Sequence, residues 1–155
     1  TSSGMAIRFD EDDARIMGRA AAGVKGIEIG AKDRVVGLVR CDAGEDLLTV
    51  TSNGYGKRTS LDDYLVRSED GSTRPQGRGG KGRIDIKTNS RNGDVVAVRP
   101  VSGGDGAVFV TQNGQLIRTA VDEISRMGRN TQGVRVVRLR ESDSLVAMAR
   151  VMTDD

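Results

Sequence analysis

The 155 residues of this chain contain one pattern three times, at a period of about 50 residues. Each copy opens on Thr-x-Ser/Asn-Gly, has an arginine seven residues after the Thr, continues with a Gly-Arg pair and a further glycine, and reaches an apolar run. Because the spacing is kept, each copy must build the same small unit. The landmarks are residues 1–4, 51–54 and 111–114; Arg8, Arg58 and Arg118; Gly18-Arg19, Gly77-Arg78 and Gly128-Arg129; and residues 35–39, 95–98 and 145–151.

Glycine and valine indicate that these units are made of strands. The chain has 21 glycines, which disfavour long helices, and eighteen valines, which favour strands. Residues 47–51 and 107–111 each lead into a turn and a second extended segment, which is typical of a hairpin. Alternation at residues 134–139 predicts a half-exposed outer strand, and residues 35–39, apolar on both faces apart from Gly37, predict a buried inner one. Four short strands per repeat favour a β-propeller blade over a β-solenoid or a single sandwich.

We divide the chain into repeat 1 (residues 1–48), which lacks the strand before its Thr, repeat 2 (49–106) and repeat 3 (107–155). Only repeat 2 departs from the pattern, because residues 64–75 carry an insertion of about nine residues that we expect to be a surface loop. The pairs Asp62-Asp63 and Asp122-Glu123 are expected to cap short turns.

The composition excludes several classes of chemistry. There is no histidine and Cys41 is the only cysteine, so the chain has no Cys/His zinc cluster and no Ser-His-Asp or Cys-His catalytic pair. Tyr55 and Tyr64 lack an acidic metal-binding cluster nearby, so we interpret Tyr55 as a strand residue and Tyr64 as a loop residue that packs against the fold. We interpret Cys41 as a small buried apolar residue. We expect no cofactor, no metal and no membrane segment, and a cytoplasmic location.

Basic residues around a glycine-rich segment point to phosphate binding. Residues 74–91 contain six cations and one acid, Asp85. Glycines beside Arg78 and Lys81 would let backbone N–H groups approach phosphate oxygens. A solvated loop explains one such segment equally well, but two arginines recur in every repeat. In a ring of blades they would form a charged rim, around which a duplex must bend.

Residues 54–59, 76–82, 114–119 and 128–134 resemble the C-terminal domain of the DNA gyrase A protein. That family is characterised by the box Gln-Arg-Arg-Gly-Gly-Lys/Arg-Gly, and residues 76–82 match six of its seven positions, with Gly77 in place of the first arginine. The box lies in the middle repeat here, whereas the family has it in the first blade. The resemblance implies a six-bladed β-pinwheel whose blades exchange strands, of which this chain would form the last three.

The resemblance further implies that the chain binds, bends and wraps duplex DNA without sequence preference, and so supports negative supercoiling by an ATP-dependent type IIA topoisomerase. The chain itself would have no catalytic residue. Its partners would be DNA, the remainder of the gyrase A protein and the gyrase B protein, in the nucleoid of a bacterium. Exposed edges of three blades would favour a homodimer or strand exchange.

The alternatives are the related domain of the topoisomerase IV A protein and a protein-scaffolding propeller. The expected DNA-binding residues are Gln76, Arg78, Gly79, Gly80, Lys81, Gly82, Arg83, Lys57, Arg58, Arg118, Arg129, Arg8 and Arg19.

Overall fold

The structure is a computed structural model that describes residues 1–42 and 44–152. Within these residues it consists of short strands and 3₁₀ helices, so the all-β prediction is confirmed. No helix in the described part is long and apolar enough to cross a membrane. The strands are β1 (Met5–Ala6), β2 (Asp46–Thr51), β3 (Tyr55–Ser60), β4 (Val66–Arg67), β5 (Thr73–Arg74), β6 (Arg83–Ile84), β7 (Val95–Val101), β8 (Gly106–Thr111), β9 (Leu116–Ala120), β10 (Val134–Arg135) and β11 (Leu145–Val151).

The blades of repeats 1 and 2 take their outer strand from the following repeat. In the central sheet the order is β10-β3-β2-β7, and all of these pairs are antiparallel. Strands β2, β3 and β7 are thus completed by β10 of repeat 3, and β1 of repeat 1 pairs in the same way with β6 of repeat 2. The third sheet has the order β11-β8-β9. The hairpins predicted at 47–51 and 107–111 are confirmed as β2-β3 and β8-β9, and the strand exchange implied by the resemblance is present.

Two of the recurring glycines are required where the outer strands approach the preceding repeat. Gly82 and Gly133 have φ angles of +71° and +72°. A Cβ on Gly82 would lie 2.4 Å from the carbonyl oxygen of Ala6, and one on Gly133 would lie 2.7 Å from that of Gly56. No side chain fits at either place, and L-residues avoid this backbone conformation. Gly82 and Gly133 therefore permit β6 to pair with β1 and β10 to pair with β3.

The main core lies between the sheets of repeats 2 and 3. Leu48 and Val101 of one sheet pack with Phe109, Leu145 and Met148 of the other, and all are almost completely buried. The runs at 95–98 and 145–151 form β7 and β11, as predicted, and the half-exposed pattern of residues 134–139 is confirmed. The inner edge of each blade is therefore β7 or β11, and the strand at the opposite edge faces outward.

The run at residues 35–39 was predicted as a buried inner strand, and this is wrong. It forms no strand, and Val35 and Leu38 are 56% and 86% exposed. In repeat 2, β2 pairs with both β3 and β7 and so holds the inner strand in place. Residues 35–39 have no such pairing strand within the described residues. Residues 35–39 instead line an apolar groove of about 1110 Å³.

The predictions for the insertion and for individual side chains are confirmed only in part. The insertion is exposed and forms the hairpin β4-β5, and the acidic pairs lie in the 3₁₀ helices Leu61–Tyr64 and Val121–Glu123. Tyr55 begins β3, as expected. Tyr64 packs as expected, with only 3% of its surface exposed, although it ends a 3₁₀ helix and does not lie in a loop. Cys41 is only partly buried, beside Leu47 and Val39. The repeat boundaries stay a prediction.

A buried ion pair within repeat 2 also contacts repeat 3. Lys57 on β3 is completely buried, and its Nζ lies 3.2 Å from Oδ1 of Asp85, next to β6. The ammonium also donates to the Gly128 carbonyl at 3.0 Å, and the hydroxyls of Tyr64 and Thr49 donate to the Asp85 carboxylate at 2.6 Å and 2.7 Å. Burial lowers the pKa of Lys57, and Asp85 opposes that shift. This network positions both outer-strand segments.

We predict that Lys57→Met destabilises the chain by about 3–5 kcal/mol, because it leaves the Asp85 carboxylate buried without a cation. Adding Asp85→Asn should recover part of this loss, since the neutral amide can still accept a hydrogen bond from Tyr64. Urea unfolding of both variants gives the two values. An unchanged unfolding midpoint for Lys57→Met would contradict the account.

Candidate nucleic-acid interface

The glycine-rich box at residues 76–82 runs along the junction between repeats 1 and 2. The backbone N–H of Gln76 donates to the Arg8 carbonyl at 2.8 Å, and that of Gly79 donates to the Gly26 carbonyl at 2.6 Å. In return, the Gly80 carbonyl accepts from the Glu28 N–H at 2.8 Å. The box backbone is therefore anchored to repeat 1. Lys81 remains exposed at its surface.

The arginine of each Gly-Arg landmark reaches back to the preceding repeat. Arg78 donates from Nε to the Asp13 carbonyl at 2.8 Å and from Nη1 to that of Lys25 at 3.0 Å. Arg129 makes the equivalent bonds one repeat later, to the carbonyls of Asp63 at 2.7 Å and Ile84 at 3.2 Å. The aspartate acceptors occupy the same position in their repeats.

The arginine seven residues after each Thr reaches forward to the next repeat. Arg8 donates from Nη1 to the Leu61 carbonyl at 2.8 Å and lies 3.3 Å from the Asp62 carboxylate. Arg58 bonds to the Ile124 carbonyl at 2.8 Å and lies 3.3 Å from Asp122. The two arginine side chains are only 23% and 14% exposed.

These contacts revise the expected charged rim. Arg8, Arg58, Arg78 and Arg129, which we call the inter-repeat arginines, recur because each repeat must be held to its neighbours. Lys57, predicted to bind DNA, is buried in the ion pair, so its ammonium cannot reach a phosphate. The sequence pattern could not separate the two roles, because the acceptors are mostly backbone carbonyls of another repeat.

The other residues predicted to bind DNA differ in how exposed their side chains are. Arg83 is half-buried and donates to the Leu65 carbonyl of its own repeat at 2.6 Å. Gly82 supports the outer strand, whereas Gly79 and Gly80 shape the box. Arg19 and Arg118, in the two terminal repeats, are exposed and have no hydrogen-bond or ion-pair partner among residues 1–42 and 44–152.

The structure brings together two further arginines that sequence analysis did not select. Arg91 and Arg135 donate to the Tyr55 hydroxyl at 3.2 Å and 3.1 Å, and their guanidinium carbons lie 5.1 Å and 5.5 Å from the centre of its ring. Hydrogen bonds from Arg135 and Arg91 lower the pKa of Tyr55. The ring thus holds two exposed guanidinium groups side by side through cation–π contacts. The position of Arg135 on the predicted half-exposed outer strand is the sequence feature that could have identified this arginine.

The arrangement offers cations at the outer edges of two adjacent blades. Lys81 precedes β6, Arg91 follows it, and Arg135 lies on β10, which is the edge strand opposite β7. No group of three or more acidic, cysteine or histidine side chains among the described residues could hold a metal ion. The exposed ammonium and guanidinium groups of Lys81, Arg91 and Arg135 are donors suited to anions.

Comparison with known proteins gives a consistent family. The profile described as "DNA gyrase C-terminal domain, beta-propeller" matches residues 1–42, 45–69, 74–102 and 107–152. The DNA gyrase A protein of Haloquadratum walsbyi is 46% identical over 158 residues, which cover 100% of this chain and 17% of that protein. The gyrase A protein from Salmonella typhimurium is 43% identical and is matched over 97% of this chain and 16% of its own length. The chain thus spans a small part of these relatives.

Two solved structures have a similar fold. A DNA gyrase A C-terminal domain superposes with a TM-score of 0.84 at 28% identity, covering 97% of this chain and 48% of that one. The C-terminal domain of DNA topoisomerase IV superposes with a TM-score of 0.81 at 21% identity, which shows the shared fold. With the family profile matched along nearly all of its length, the chain belongs to the DNA gyrase C-terminal domain family of β-propellers.

Proposed function

We propose that this chain binds duplex DNA without sequence preference and bends it along the outer edges of its blades. It would do so as the C-terminal domain of a DNA gyrase A protein. The rest of that protein and the gyrase B protein would supply the ATP-dependent strand passage that adds negative supercoils. The observation that carries the proposal is the set of exposed cations near the outer strands: Lys81 beside β6, and Arg91 and Arg135 held together at Tyr55. Family membership supports the same function.

The position of these cations favours bending. They come from the segments around β6 and β10, which complete two successive blades. A duplex that contacts both outer edges must follow the arc of the blades. Bending a site of tens of base pairs costs several kcal/mol, about 1–6 by elastic estimates, and multiple phosphate contacts can offset this cost.

The same residues give little means of reading bases. Arg91 and Arg135 each give one N–H donor to the Tyr55 hydroxyl and lie over its ring, so the two guanidinium groups are held side by side rather than directed singly at a base edge. The box contributes a single exposed cation among glycines. Contacts to phosphates fix position without sequence information, so we infer binding that depends on charge and shape.

The alternatives make different predictions. The topoisomerase IV alternative rests on a structural likeness at 21% identity, whereas the gyrase relatives reach 46%. A protein-scaffolding propeller would not require exposed cations in a row and would show no salt-dependent DNA binding. Under the same proposal, the chain would act on the DNA of the nucleoid, in the cytoplasm.

We expect the affinity for duplex DNA to be the same for unrelated sequences of equal length and to fall steeply with salt. Each neutralised phosphate contributes about −0.9 to the slope of log K against log salt concentration, because its counterions are released on binding. Fluorescence anisotropy over a range of salt concentrations measures this slope. A flat plot would favour the scaffolding alternative.

A matched pair of box variants separates the two roles assigned to its cations. Lys81→Gln should weaken DNA binding and reduce the salt slope by about one, with an unchanged unfolding midpoint, because its ammonium is exposed. Arg78→Gln should instead lower the unfolding midpoint, because it loses the bonds to the Asp13 and Lys25 carbonyls. Equal behaviour of the two variants in both assays would show that this division is wrong.

The outer edge is tested by replacing both arginines at Tyr55. Arg91→Gln with Arg135→Gln should reduce both affinity and the bend measured by energy transfer between the duplex ends. Arg99→Gln is the control, because Arg99 is exposed on β7, at the opposite edge of the same sheet. If Arg99→Gln weakens binding more than the double variant, the DNA follows another surface.

A further inference from the structure

Two arginine side chains of the outer edge meet at a single atom. Nε of Arg91 and Nη2 of Arg135 donate to the same hydroxyl oxygen of Tyr55, at 3.2 Å and 3.1 Å. Their guanidinium carbons lie 5.1 Å and 5.5 Å from the centre of the tyrosine ring. The tyrosine is only 6% exposed, whereas both arginines are exposed. Two positive charges are therefore gathered at the surface over a buried ring.

The backbone places the two arginines next to each other independently of that hydroxyl. Arg135 on β10 pairs directly with Tyr55 on β3. Arg91 is followed by the buried Asn92, whose side-chain amide donates to the Gln132 carbonyl at 3.1 Å. This bond ties the turn that carries Arg91 to the segment just before β10. The tyrosine hydroxyl therefore orients the guanidinium groups rather than the chain that carries them.

No carboxylate neutralises this pair in the described part of the chain. Arg58 and Arg126 form ion pairs with aspartates at 3.3 Å and 2.9 Å. Among residues 1–42 and 44–152, the guanidinium groups of Arg91 and Arg135 have only the neutral hydroxyl and ring of Tyr55 as partners. Like charges held close together repel each other. An anion bound between the two groups would relieve that repulsion.

We propose that Arg91 and Arg135 form a clamp for one phosphate group of the DNA backbone, with Tyr55 as the residue that positions them. Because both guanidinium groups reach the same oxygen atom, they are close enough to donate to the oxygens of one phosphate. Guanidinium donors suit phosphate, and holding two of them in place before binding reduces the conformational freedom that is lost on binding. This inference rests on the proposed DNA binding and deepens it.

The salt dependence of DNA affinity measures how many phosphates the two arginines neutralise. Arg91→Gln and Arg135→Gln alone should each leave the slope of log K against log salt concentration nearly unchanged, because the remaining arginine still neutralises the phosphate. The double variant should reduce the slope by about 0.9, the contribution of one phosphate. A loss of about 0.9 in each single variant, and about twice that in the double, would overturn the clamp, because the arginines would then contact two phosphates.

A double-mutant cycle tests the role of the tyrosine. Tyr55→Phe keeps the ring and both cations but removes the oxygen to which they donate, so it should weaken DNA binding about threefold to tenfold at an unchanged salt slope. In the background of Arg91→Gln with Arg135→Gln, the same substitution should have no further effect, because the tyrosine acts on DNA only through the arginines. An equal loss of affinity in both backgrounds would overturn the positioning role.

Tyr64→Phe is the matched control, because Tyr64 is the other tyrosine of the chain and its hydroxyl donates to Asp85. It should lower the unfolding midpoint and leave the DNA affinity of the folded protein unchanged. Circular dichroism establishes that each variant is folded before its affinity is compared.

The same measurements separate failure of the clamp from failure of the proposed function. If the variant with both Arg91→Gln and Arg135→Gln binds DNA with the full affinity and salt slope of the unchanged chain, the clamp is overturned and DNA binding at another surface remains. If the unchanged chain shows no salt-dependent binding to duplex DNA, the proposed function is overturned and the clamp with it.

Discussion

The pairing of each outer strand with the hairpin of the preceding repeat is the interaction on which the rest of this fold depends. β6 and β10 donate their edges across the repeat boundaries, and Gly82 and Gly133 permit the close approach. The blades of repeats 1 and 2 are therefore each built from two repeats. The inter-repeat arginines and the buried pair of Lys57 with Asp85 then stabilise the junctions that this exchange creates.

Because neighbouring repeats exchange strands, most of the recurring arginines serve as contacts between repeats. A cation that recurs in every repeat of a DNA-binding family suggests a row of phosphate contacts, yet Arg8, Arg58, Arg78 and Arg129 donate mainly to carbonyls of neighbouring repeats. The cations that do face outward, such as Arg91 and Arg135, are positioned by one tyrosine ring. Structural cations and the cations that we propose bind DNA therefore lie along the same segments.

Sequence patterns predicted what depends on local geometry. The hairpins at residues 47–51 and 107–111, the half-exposed strand near residue 134 and the surface insertion follow from turn residues and alternation. The failures involve partners distant in the chain. Residues 35–39 have the composition of an inner strand but lack the neighbour that would pair with them. Lys57 was taken for a surface cation because its partner, Asp85, is 28 positions away in the sequence.

Arginine-selective dicarbonyl labelling, read out by peptide mass spectrometry with and without duplex DNA, tests the central claim most directly. Arg91 and Arg135 should be labelled in the free chain and protected by DNA, whereas Arg99 should be labelled equally in both states. Arg58, which is largely buried and bonded to repeat 3, should label slowly whether or not DNA is present. Strong labelling of Arg58 that DNA suppresses, with Arg91 and Arg135 unaffected, would contradict the account.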